Sequence, residues 1–177
     1  MRNNILNLLP FTGKQIFSRL TFTFLIAAQS IAARNVEITQ FGAVGDAATL
    51  NTKALQMAID TCAKTGGGEV TVPPGTYITG TIYLRSNVEL HLCRGSIIRG
   101  SYRNPEDYPT RSLIVADSIE NAGISGSGII DGNARHPEFQ KNYRLNDGKR
   151  PYAIYYKDCK RMSPVSYTHL TLPTNSL

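Results

Sequence analysis

Between residues 51 and 64 the apolar positions fall at Leu55, Ala58, Ile59 and Cys62, spacings of three and four that place them on one helical face. Asn51 or Thr52 stands where an N-cap is needed, and Gly66, Gly67 and Gly68 end the helix. After the glycines the period changes. Val70 and Val72 alternate with polar neighbours, Pro73-Pro74-Gly75 makes a turn, and short apolar runs follow at 77–78, 81–84 and 88–92. Upstream, Phe41-Gly42-Ala43-Val44-Gly45-Asp46 reads as a loop, because its two glycines suit backbone conformations that a Cβ opposes.

Past Gly100 short runs keep recurring, at 113–116, Ile119, Ile124, 129–130 and 152–156, with Gly123, Gly126, Gly128 and Gly132 between them. They are too short for globular helices and too regular for a disordered tail. A solenoid would stack them into parallel sheets, each coil burying its apolar residues against the next; a β-sandwich has similar strand spacing, and pattern alone does not separate the two. The segment 134–149 has no alternation and carries His136, so it reads as a loop inserted between coils, where binding grooves are often lined.

The letters of these pieces decide between the architectures. FGAVGD, NTKALQMAID, GGGEVTVPPGTY, SNVELHL, GSIIRGS, Asp107-Tyr108-Pro109, the Gly126 to Gly132 string GSGIIDG and Arg150-Pro151-Tyr152 occur in this order, and together they resemble the start of the polygalacturonase catalytic domain, glycoside hydrolase family 28, over roughly residues 36–162. The resemblance implies an all-β chain: a right-handed parallel β-helix with an N-terminal capping α-helix, incomplete at its C-terminus. A shorter version of the opening also occurs in pectate-lyase-like and tailspike-like β-helices. A calcium-dependent polysaccharide lyase and a non-catalytic glycan-binding or spike module are therefore the competing readings.

Composition alters this picture at the N-terminus. Lys14 and Arg19 precede an apolar run at 20–28, and Ser30-Ile31-Ala32-Ala33 offers small residues for cleavage, so residues 1–32 read as a secretory signal. The apolar run is short of the ~20 residues that span a bilayer, which argues against a membrane anchor and for a secreted product. The formal net charge is +6; without Arg2, Lys14 and Arg19, sixteen basic residues face thirteen acids, too even a balance to suggest nucleic acid. Cys62, Cys93 and Cys159 have no paired short spacing, so neither a disulfide framework nor a zinc site is indicated; they read as small buried hydrophobes on a helix and two strands.

The chemistry expected of the resemblance is inverting hydrolysis of α-1,4-galacturonan in pectin, by an acid and a base carboxyl, with no metal or organic cofactor and by a monomer when complete. Family 28 draws these groups from Asn-Thr-Asp, Asp-Asp, Gly-His-Gly and Arg-Ile-Lys strings, none of which occurs here. Asn51-Thr52 is followed by Lys53, and Glu106-Asp107 and Lys157-Asp158 stand in other contexts. His91 alternates with Leu90 and Leu92 and so faces away from the core, as a surface residue. Asp131 reads as a turn carboxylate binding nearby backbone N–H groups, and His136 and His169 lie in the loop and the tail. No catalytic, cofactor-binding or metal residue is assigned. Residues 163–177 contain no Asp, Glu, Lys or Arg and no evident strand, and read as a non-native tail after a β-helix domain at 33–162.

Overall fold

In a computed structural model of the chain, residues 34–102, 107–137, 152–163 and 169–171 are described. The N-terminal unit Met1–Ala32, with the expected signal, lies outside them. The second unit is a right-handed parallel β-helix capped by one α-helix. Among the described residues every strand pairing is parallel, which excludes the sandwich.

The chain visits three sheets in turn. One contains β1 (Arg34–Glu37), β3 (Gly68–Val72), β6 (Val88–Leu92) and β9 (Gly123–Gly126). The second contains β2 (Asp46–Leu50), β4 (Gly75–Thr79), β7 (Ser96–Gly100), β10 (Ile129–Asp131) and β12 (His169–Thr171). The third contains β5 (Ile82–Tyr83), β8 (Ser112–Asp117) and β11 (Tyr152–Lys157). Register explains why these short segments hold. Val36, Val70, Leu90 and Ile124 stand side by side in the first sheet, Tyr77, Ile98 and Ile130 in the second, and Ile82, Ile114 and Ile154 in the third. Three apolar columns, aliphatic apart from Tyr77, thus converge on one core, each fully buried Val, Leu or Ile contributing about 1.5–3 kcal/mol.

Helix α1 (Thr52–Lys64) closes the first coil. Its buried residues are Leu55, Ala58, Ile59 and Cys62, the face that the spacing predicts. Asn51 occupies the N-cap position but makes no side-chain cap bond; its amide is turned to the preceding loop instead. Thr52 does not cap either, since its Oγ1 accepts the Gly80 N–H at 2.7 Å. At the other end Gly67, with φ +95°, donates its N–H to the Cys62 carbonyl at 2.9 Å.

The structure departs from the pattern of the sequence in three places. Asp46 belongs to a strand as well as to the loop: β2 meets β4 through Asp46–Thr76 and Leu50–Ile78, with a bulge between, and Ala47 at φ +60° absorbs the irregularity. Only Cys62 is buried; Cys93 and Cys159 are half-buried in turns, not on inward strand positions. The tail is not strandless, because β12 lies in register with β10, from Ile129–His169 to Asp131–Thr171.

Candidate functional site

Parallel pairing puts residues far apart in sequence onto the same outward row, and this builds the polar clusters. Arg99 on β7 and Asp131 on β10 are register partners, and the Arg99 Nε donates to Asp131 Oδ2 at 2.9 Å. The other carboxylate oxygen accepts the Asn133 N–H at 2.8 Å, so Asp131 closes a turn on its own backbone. Asn133, at φ +53°, sends its Nδ2 to the Gly100 carbonyl at 3.0 Å. Three residues beyond Arg99, the ring of Tyr102 stacks on that of His136, with centroids 3.7 Å apart and planes 14° off parallel.

Asp107 accepts from the Ser101 hydroxyl, and its backbone carbonyl receives the Thr81 N–H at 2.7 Å. Beside it the Tyr108 hydroxyl donates to the Ser101 carbonyl at 2.8 Å; burial, and then the Asp107 charge, push that phenol well above its ordinary pKa and keep it neutral. Gly80 makes this packing possible, for a Cβ there would lie 2.4 Å from the Asp107 carbonyl oxygen.

Most of the other described acids are also engaged. Asp158 lies 3.7 Å and Asp117 3.6 Å from the Lys157 Nζ, Glu120 pairs with Arg161 at 2.7 Å and Asp60 with Arg85 at 2.7 Å. These are exposed or half-exposed contacts of the kind worth about 1 kcal/mol or less. Asp46 is held down to a pKa of about 2, first by the Thr49 N–H and hydroxyl and then by the Ala48 N–H, the opposite of what a general acid requires. Inverting hydrolysis needs two carboxyl groups roughly 6.5–9.5 Å apart across a sugar. The acids named in this paragraph are instead held by their own turns and ion pairs, Asp117 and Asp158 on the same lysine.

The outer face of the first sheet is different. Glu69 and Glu89 are register partners, and His91 follows two residues along β6; one donor atom from each of the three lies within 4.8 Å of the others. His91 faces outward as its alternation predicts, and its Nδ1 is 2.8 Å from the Ser125 hydroxyl. Sequence reasoning missed this cluster because 20 residues separate Glu69 from Glu89 and only the strand register brings them together. Glu106 and residues 138–149 of the expected loop lie outside the described residues, and for His169 only the backbone is placed. A groove of about 450 Å³ runs beside α1, with Leu50, Met57 and Tyr83 giving it an apolar wall and Lys53, Gln56 and Asp60 a polar rim.

Residues 33–171 match the family described as rhamnogalacturonase A/epimerase, pectate lyase-like. The exo-poly-alpha-D-galacturonosidase of Dickeya chrysanthemi is 39% identical over 119 residues, covering 55% of this chain and 19% of that protein. Among solved structures, the family 28 exopolygalacturonase of Yersinia enterocolitica is similar at 27% identity and a TM-score of 0.64, over 77% of this chain and 34% of that one. The hyperthermoactive exopolygalacturonase of Thermotoga maritima shares the fold at 24% identity and a TM-score of 0.62, over 86% of this chain and 45% of that one. The chain thus spans about a fifth of the length of the Dickeya relative and a third of the Yersinia structure.

Proposed function

Because the chain belongs to the rhamnogalacturonase A/epimerase, pectate lyase-like family, we propose that the protein is a pectin-directed glycoside hydrolase that cleaves α-1,4-galacturonosyl linkages with inversion. The observation that carries this reading is the 39% identity with the Dickeya galacturonosidase, which extends over 119 residues. In this reading the described coils supply the scaffold and one end of a substrate groove. This reading places the acid and base carboxyls on coils other than those described, since Asp60, Asp117, Glu120 and Asp131 are tied into turns and ion pairs and none of the expected motifs is present. Two carboxyl groups suffice for the reaction, and no cofactor enters it.

Export belongs to the same proposal. Lys14 and Arg19, the apolar run at 20–28 and the small residues up to Ala33 support cleavage after Ala32. N-terminal sequencing of secreted material should begin at Ala33, whereas intact Met1 in the membrane fraction would mean an anchor.

The activity is tested with two proteins, the 177-residue chain and the reading frame extended at its native locus past the codon for Met162. On polygalacturonate the extended protein should release new reducing ends with inverted anomeric configuration, and the 177-residue chain should release none. Absence of each positioned acid or base removes about 10²–10⁴-fold of rate. An unsaturated uronate product would instead identify a lyase. Hydrolysis by the short chain, abolished by Asp131→Asn, would place the chemistry on the carboxylate assigned here to a turn.

A further inference from the structure

We propose that Glu69, Glu89 and His91 form a binding site for a divalent transition-metal ion, of which Zn2+ is the best match, and that the ion ties β3 to β6. The ligand atoms converge to within 4.8 Å of one another, so small side-chain rotations bring them to the separations of roughly 3.4 Å that a tetrahedral ion with metal–ligand distances of about 2.0–2.2 Å requires. Parallel register fixes this convergence: Glu69 stands beside Glu89, and Thr71 beside His91, on two adjacent outward rows.

Charge points the same way. Among the described residues neither Glu69 nor Glu89 has an ion-pair partner. The positions in register with them along the two rows are Asn35, Gly123, Glu37, Thr71 and Ser125, none of them a cation. Two carboxylates held this close repel each other, and a bound cation relieves the repulsion.

The surrounding hydrogen bonds suit metal ligation as well. Residues outside the ligand set hold two of the three ligands: Thr71 donates its hydroxyl to Glu69 Oε1 at 3.0 Å, and Ser125 meets His91 Nδ1 at 2.8 Å. In the tautomer whose Nδ1–H donates to the Ser125 hydroxyl, Nε2 carries the lone pair for ligation, the way an outer partner sets the tautomer of a metal-bound histidine. One imidazole and two carboxylates match a zinc site with a fourth position open to water. They match Ca2+ and Mg2+ less well, since these ions prefer more numerous ligands, all of them oxygen.

Isothermal titration of Zn2+ into the 177-residue chain should show one site. Its affinity should fall at least tenfold in His91→Asn and in Glu69→Gln, and should be unchanged in His136→Asn. Ser125→Ala, which leaves all three ligands in place, should weaken binding about 10-fold by releasing the imidazole. Because the ligands come from two coils, saturating Zn2+ should raise the melting temperature of the unsubstituted chain but not that of His91→Asn. Substitution with Co2+ provides a readout independent of any variant's folding, with visible bands of nitrogen and oxygen ligation expected. The proposal is overturned by no binding at millimolar Zn2+, by undiminished binding in His91→Asn, by a cysteine thiolate band in the Co2+ spectrum, or by equal stabilisation with Ca2+ or Mg2+.

Discussion

Asn51, 1% exposed, accepts the Val44 N–H through Oδ1 at 2.7 Å and donates Nδ2 to the carbonyls of Val44 and Thr49 at 3.0 and 2.8 Å. The side chain therefore pins the loop at 42–45 onto the start of α1. Asn51→Ala removes three part-buried hydrogen bonds to the loop backbone and should cost about 2–3 kcal/mol, seen as a lower urea midpoint at unchanged slope. Asp46, in the same loop, supplies a pH signature. Its carboxyl sits near 2 when folded against 3.8 for the free group, so the stability it contributes is present above about pH 4 and is lost as pH falls toward 2. Asp46→Asn should flatten the stability–pH curve inside that window and leave its slope at neutral pH unchanged. The loop itself was legible, since Gly42 and Gly45 announce it. The duty of Asn51 was not, because Val44 is seven residues away and the N-cap position offered a sufficient reason for an asparagine.

At the scale of elements, apolar alternation located most strands and the helix face, because Leu55, Ala58, Ile59 and Cys62 must share one side whatever lies opposite. Alternation could not say which strands meet, and both polar clusters depend on that. The turns between the third and first sheets show a further consequence of stacking. Asn87, Asn121 and Arg161 adopt φ +62°, +52° and +51° in successive coils; Asn121 Nδ2 donates to Asn87 Oδ1 at 3.1 Å, and Arg161 Nε donates to Asn121 Oδ1 at 2.6 Å. Asparagine tolerates the left-handed region better than alanine. Asn121→Ala should therefore lose about 2 kcal/mol, half as backbone strain and half as lost ladder bonds, and Asn121→Gly only the second part, a difference that thermal denaturation can resolve. Gly67 beneath the ladder is stricter. A Cβ there would lie 2.2 Å from the Asn87 carbonyl oxygen, at φ +95°, so Gly67→Ala should destabilise by more than about 2 kcal/mol.

For the molecule as a whole, each coil is stabilised mainly by its neighbours, so the outermost strands decide how the solenoid meets its surroundings. In the second sheet β12 covers β10, whereas β11 is the outer member of the third sheet, and no described strand pairs with its free side. Tyr152, Tyr155 and Tyr156 stand on that strand at 62%, 41% and 37% exposure. A strand edge that no described strand covers, with three large aromatics on the same strand, is a template for another strand. The 177-residue chain should therefore self-associate at roughly micromolar to millimolar concentration, with sedimentation coefficients that rise with loading. Lysine at Tyr152 and Tyr155 adds like charges that oppose edge-to-edge pairing, and because both positions are already exposed the melting temperature should hardly move. The double variant should sediment as a monomer over the same range. Association that persists in it would locate the contact elsewhere, with the apolar wall of Leu50 and Met57 beside α1 the next surface to charge.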